Sequence, residues 1–83
     1  MASLVERTHM SAGRNAEVAD ALQEQGYDLR GFCPVIPARL GNRRALVSWS
    51  RVQNLYAVLT PRSLMVLTID QVRGQFPSLP VPA

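Results

Sequence analysis

The chain has 83 residues, 47% hydrophobic and 18% charged, and its formal net charge of +3 arises from arginine without any lysine. This length allows one small domain, and this composition excludes a disordered basic tail, which would be far more polar. A single cysteine excludes an internal disulfide, and no apolar run approaches the roughly 20 residues that span a bilayer, so we expect a folded, cytoplasmic protein without a membrane partner.

The first predicted element is a helix over residues 15–25. Asn15 or Ser11 can cap its start, and Gly26 lies where a left-handed residue commonly ends a helix. At helical spacing, one face is apolar and carries Val18, Ala19 and Leu22. The opposite face is acidic and carries Glu17, Asp20 and Glu24. The segment is therefore an amphipathic helix that buries one side and exposes the other.

A β-hairpin is predicted next, because Gly41 in the first position of a two-residue loop favours a type II′ turn. The register then places residue 39 opposite residue 44, and residue 36 opposite residue 47. One face is a candidate core that contains Ile36, Ala38, Leu40, Ala45, Val47 and Trp49. The other face contains Val35, Arg39, Arg44, Leu46 and Ser48. Pro37 falls in a non-hydrogen-bonded pair, so the N–H that proline lacks would point away from the partner strand. Only an edge strand tolerates a proline in that position.

Two apolar segments follow, Leu55–Thr60 and Leu64–Thr68, with a proline at the second position of the turn between them. Both are read as strands. For the second segment, a helix capped at Thr60 is the alternative, because proline also suits the first position of a helix. A capping-box pattern over residues 68–71 then predicts a short helix from 69 to about 75.

With residues 61–68 open between strand and helix, the predicted architecture is an α+β domain over residues 11–76 in the order α-β-β-β-α. A three-stranded antiparallel sheet carries both helices on one face. Residues 1–10 are expected to be flexible or partly ordered, and the proline-rich residues 77–83 are expected to form an extended tail. Because so small a core gives little stability, a homodimer is an open alternative.

Charge is divided unevenly along the chain, and this division leads to the candidate site. Residues 1–28 hold five of the six acids, whereas residues 29–83 hold seven of the nine arginines. In the hairpin register, Arg39 and Arg44 lie directly opposite each other, where like charges destabilise a sheet by about a few tenths to 1 kcal/mol. An anion between them turns this repulsion into a clamp; the alternative is a solvated pair with no role. The predicted partner-binding patch contains Arg39, Arg43, Arg44 and Arg51.

The inventory of reactive side chains indicates a protein that is not an enzyme and needs no metal or cofactor. One histidine, His9, and one cysteine, Cys33, cannot supply the three or four ligands of a zinc site. The basic part of the chain has no paired carboxylates, and the chain has no glycine-rich phosphate loop. Trp49 is predicted to face the core, and Tyr56 is expected to be the more exposed aromatic.

These features favour a small regulator or inhibitor that sterically occupies an acidic surface patch of a larger protein or protein complex through its arginine-bearing hairpin. Inhibitors of host or defence complexes that phages and mobile elements encode are built in this style. The acidic helix face is a secondary candidate surface, suited to a basic groove, and comprises Glu17, Asp20 and Glu24. One alternative is a nucleic-acid-binding protein that uses the hairpin as a β-ribbon, and another is a dimeric scaffold subunit associated through its sheet.

Overall fold

The computed structural model describes residues 15–82, which form an α+β fold as predicted. The elements are α1 (residues 15–24), β1 (Ile36–Leu40), β2 (Arg43–Ser50), β3 (Leu55–Leu59), β4 (Leu64–Leu67) and α2 (Ile69–Gln75). The strands form one antiparallel sheet in the order β1-β2-β3-β4. The expectations for residues 1–10 and for a cap at Ser11 lie outside the described residues.

The predicted hairpin register is confirmed. Arg39 pairs with Arg44 and Ile36 pairs with Val47, so β1 and β2 flank a loop of two residues. Gly41 has a φ of +64°, as the first position of a type II′ turn requires. Pro37 lies in β1, which is an edge strand of the sheet. A proline is tolerated there because no neighbouring strand needs its missing N–H.

The strand predicted over residues 64–68 is confirmed as residues 64–67, and it is the fourth strand of the sheet, so the predicted count of three strands is wrong. The Thr60 N–H donates to the Ser63 carbonyl at 2.9 Å, and the Thr60 hydroxyl accepts the N–H of Ser63 at 3.2 Å. Thr60 therefore closes a hairpin turn and caps no helix. The physical reason is that the β4 side chains are apolar on both faces, and both faces are covered: Leu64 and Val66 pack on one side of the sheet, Met65 and Leu67 on the other.

The helices lie on opposite faces of the sheet, which corrects the prediction that both pack on one face. Val18 and Leu22 of α1 pack with Ala57 of β3 in one buried cluster. The second cluster joins α2 to the other face and contains Val47, Tyr56, Val58, Ile69 and Val72. Because β2 and β3 carry apolar side chains on both faces, each face needs its own cover.

The two ends of α1 differ in how far the sequence predicted them. The helix stop is confirmed, since Gly26 has a φ of +87° and the Tyr27 N–H donates to the Leu22 carbonyl at 2.9 Å. The cap at Asn15 is wrong, because residue 15 is already helical. Its side-chain oxygen instead accepts the N–H of Val35 at 2.8 Å, which fastens α1 to the segment that leads into β1.

The capping box of α2 is confirmed, and the residues after α2 return to the sheet. Thr68 and Gln71 exchange side-chain to backbone hydrogen bonds of 2.9 and 3.1 Å. The following tail contains neither helix nor strand over its described residues, yet its Leu79 is buried in the α2 cluster. The Tyr56 hydroxyl donates to the Pro80 carbonyl. The tail is therefore part of the packed domain.

Tyr56 is fully buried, so the expectation of an exposed tyrosine is wrong. It lies under α2 and the tail, which the sequence alone did not place over it. Trp49 stacks on Tyr56 with ring centroids 5.6 Å apart, and its prediction as a core-facing residue is confirmed. Burial, and to a lesser degree the charge of Cys33, raises the pKa of Tyr56 to about 12.

Candidate partner-binding groove

A groove of about 970 Å³ opens where the β1–β2 hairpin, the β3–β4 turn and α1 meet. We call it the hairpin groove. Its apolar lining comes from both hairpins and includes Pro37, Leu46, Leu59 and Pro61. Its charged lining consists of Glu17, Arg39 and Arg44. The groove therefore combines an apolar surface with charges of both signs.

The two arginines lie opposite each other on β1 and β2. Residues that flank a two-residue loop form a hydrogen-bonded pair, so the next pair, Arg39–Arg44, is non-hydrogen-bonded and has the closer side chains. Both side chains are exposed, and neither forms an ion pair with any residue in the described part of the chain. Within residues 15–82, no acidic side chain therefore neutralises either arginine of the pair through an ion pair.

Glu17 reaches the same groove from α1. It is exposed, and no ion pair within 4.0 Å joins it to Arg39 or Arg44. Its position follows from the packing of α1 on the sheet face to which the arginine pair belongs. Asp20 and Glu24 are also exposed but do not line the groove. The secondary candidate surface therefore shares one residue with the arginine pair.

The other two arginines of the predicted patch lie elsewhere. Arg43 pairs with Leu40, so strand alternation places it on the sheet face opposite to Arg44. Arg51 follows the far end of β2, seven residues from Arg44, which corresponds to roughly 20 Å along a strand. Arg39 and Arg44 alone among the four come together in the hairpin groove.

Sequence reasoning missed the apolar lining, and it assigned Glu17 to a separate, secondary surface rather than to the site of the arginine pair. The available signal was Leu46, which lies between two core residues of β2 and turns its side chain to the arginine face. An unbroken apolar run in a strand indicates that both faces are covered. That signal predicts that some element covers the arginine face, and in the structure this element is α1, which carries Glu17.

Two buried serines of β2 have structural roles. The Ser48 hydroxyl donates to the Cys33 carbonyl at 2.7 Å, and the Ser50 hydroxyl donates to the Arg30 carbonyl at 2.8 Å. Both hydroxyls thereby attach β2 to the irregular segment that precedes β1. A β-bridge between Phe32 and Ser50 joins the same segment to β2.

Residues 15–82 contain no group of three or more histidine, cysteine or acidic side chains placed to hold a metal ion. Neither of the helices described over this range has the length and apolar character needed to cross a membrane. A scan against protein-family models finds no match, and searches of curated proteins and of solved structures find none either. The geometry of the groove is thus the basis for a functional proposal.

Proposed function

We propose that this protein is a small regulator or inhibitor that binds a protein partner and takes an acidic, partly apolar segment of that partner into the hairpin groove. The observation that carries the proposal is the meeting of two facing arginines with an apolar lining at one place. Guanidinium groups bind carboxylates through paired, charge-assisted hydrogen bonds. The apolar lining supplies the dry contact found at the centre of protein interfaces.

Glu17 supports a protein partner over a nucleic acid. A nucleic-acid strand in the groove brings phosphates at short, regular intervals, and some of these phosphates approach the Glu17 carboxylate. A polypeptide segment varies its charge from residue to residue. It can therefore place a carboxylate between Arg39 and Arg44 and a polar or cationic group beside Glu17.

The nucleic-acid alternative requires a β-ribbon that enters the major groove of a duplex. Only the tip of the hairpin projects from this domain, because Ala45 and Val47 are buried under α2 and Leu46 is half-buried under α1. Arg43, on the other face of the tip, is the feature that favours this alternative. The short projecting length supports the protein-binding proposal.

The experiment begins with selection of binders from a random peptide library on the full chain. We expect the selected peptides to combine aspartate or glutamate with large apolar residues. The Arg39→Ser/Arg44→Ser variant should lose these peptides. The Arg43→Ser/Arg51→Ser variant removes the same charge outside the groove and should keep them.

A labelled random-sequence DNA duplex and a matching RNA are titrated in parallel at low and moderate salt. For duplex binding, the logarithm of the affinity falls with the logarithm of the salt concentration with a slope of roughly −0.9 per neutralised phosphate. Duplex binding with such a slope, equal in both variants, contradicts the proposal and supports the nucleic-acid alternative. Peptide binding that survives Arg39→Ser/Arg44→Ser while stability rises shows that the arginine pair is tolerated strain. Binding that depends on Arg39 and Arg44 but little on salt supports the proposal.

A further inference from the structure

The two edges of the sheet are built differently. β1 carries Pro37, a residue that blocks the addition of another strand. β4, at the other edge, has the sequence Leu-Met-Val-Leu. It contains none of the charges, prolines or bulges that usually protect an edge from pairing. The sheet is therefore closed to extension at β1 and open to extension at β4.

Strand alternation identifies the backbone groups that β4 leaves unpaired. Thr60 donates its N–H to Ser63, which makes these residues a hydrogen-bonded pair at the end of the β3–β4 hairpin. Pairs then alternate, so Met65 turns its N–H and C=O toward β3. The N–H and C=O groups of Leu64 and Val66 point outward, away from β3. In the described part of the chain, no residue forms a hydrogen bond with these outward groups.

The side chains of β4 are already used inside the domain. Leu64 and Val66 pack against the α1 cluster, and Met65 and Leu67 pack against the α2 cluster. What the edge offers to a partner is thus mainly a row of backbone donors and acceptors. Another strand satisfies such a row, whereas an apolar surface does not.

We propose that β4 pairs antiparallel with β4 of a second copy of this chain. Leu64 of each copy faces Val66 of the other, and the two-fold axis passes between the two Met65 residues. All four outward backbone groups of each strand are then bonded, which forms a continuous sheet of eight strands. This inference does not rest on the proposed function, since the hairpin groove contains no residue of β4.

A second copy is favoured as the partner because it carries the same row of unpaired backbone groups on its own β4. The two rows are self-complementary, since an antiparallel pair related by a two-fold axis joins every outward group of one β4 to an outward group of the other. The β1 edge offers no such row, because Pro37 interrupts it.

Sedimentation equilibrium of the full chain from about 10 µM to about 1 mM covers the dissociation constants expected for a dimer with so small an interface. We expect a monomer–dimer equilibrium. Val66→Pro removes an N–H that has no partner within the monomer, and should weaken the dimer by about 10- to 100-fold. Val66→Ala also removes the valine methyl groups but keeps the N–H, and should dimerise like the parent chain. A monomer at all concentrations overturns the proposal.

Leu64→Pro removes the other outward N–H of β4 and should weaken the dimer to a similar extent. Circular dichroism of both proline variants checks that the fold is kept. A dimer that ignores both proline variants, or that responds only to Arg39→Ser/Arg44→Ser, overturns pairing through β4.

Discussion

Replacing Arg39 with glutamate should stabilise the protein, because it converts the facing like charges into an opposite pair. Arg39 and Arg44 form a non-hydrogen-bonded pair with close side chains and no ion-pair partner among the described residues. Like charges in this position are destabilising, and opposite charges contribute about 0.2–1 kcal/mol. Arg39→Glu should therefore raise the free energy of unfolding by about 1 kcal/mol, slightly offset by repulsion from Glu17.

Thermal and urea unfolding followed by circular dichroism measure this change. A gain of about 1 kcal/mol corresponds to a Tm increase of roughly 4–8 °C for a domain of this size. The matched control is Arg43→Glu, which alters the net charge equally but faces Leu40 across the sheet. The control should show little of the increase.

Salt distinguishes a local charge effect from better packing. At about 1 M salt the Debye length falls to about 3 Å, so most of the gain from Arg39→Glu should disappear. An Arg39→Glu variant no more stable than Arg43→Glu, or a gain that persists in high salt, would refute the repulsion within the pair. The same variant should lose the peptides that bind the hairpin groove.

Two further predictions concern the glycines and the buried tyrosine. Gly31 has a φ of +80°, and a Cβ there would lie 2.5 Å from the nearest side-chain atom, so Gly31→Ala should lower the free energy of unfolding by about 1–2 kcal/mol. Gly74→Ala in α2 meets no atom within 4 Å and should raise it by about 0.5–1 kcal/mol; equal effects in urea titrations would contradict this contrast. Because the pKa of Tyr56 is raised from 10.0 to about 12, the unfolded state loses its proton first and stability should fall by about 1–2 kcal/mol between these pH values. Tyr56→Phe should unfold more easily at pH 8, by about 1 kcal/mol, but show a smaller decline at high pH; an unchanged decline would assign it to other groups.

The features that were predicted from the sequence depend on contacts between near neighbours. Gly41 sets the hairpin loop, and the whole β1–β2 register follows from that turn. Thr68 and Gln71 cap α2 across three residues, and Gly26 ends α1 within one turn. Such turn and cap signals can be recognised in the sequence because the interacting atoms are only a few residues apart in the chain.

The features that were not predicted depend on contacts between distant segments. α1 and α2 lie on opposite faces because β2 and β3 carry apolar side chains on both sides, whereas the hairpin register by itself indicates a single core face. Tyr56 is buried in the α2 cluster, and its hydroxyl donates to the carbonyl of a tail residue, Pro80, that is 24 positions away. Glu17 meets the arginine pair because α1 lies on their face of the sheet. None of these contacts has a local turn or cap signal.

The arginine pair is separable from what holds the domain together. The two buried clusters lie beneath α1 and α2, and the exposed side chains of Arg39 and Arg44 belong to neither. We expect their mutual repulsion to oppose folding, since within the described residues neither arginine has an ion-pair partner. Stability and binding should consequently respond in opposite directions to substitutions at these two positions. Substitution of a residue that has no role in binding changes the free energy of unfolding alone. Measuring both stability and peptide binding for Arg39→Glu therefore separates a binding site from a solvated pair.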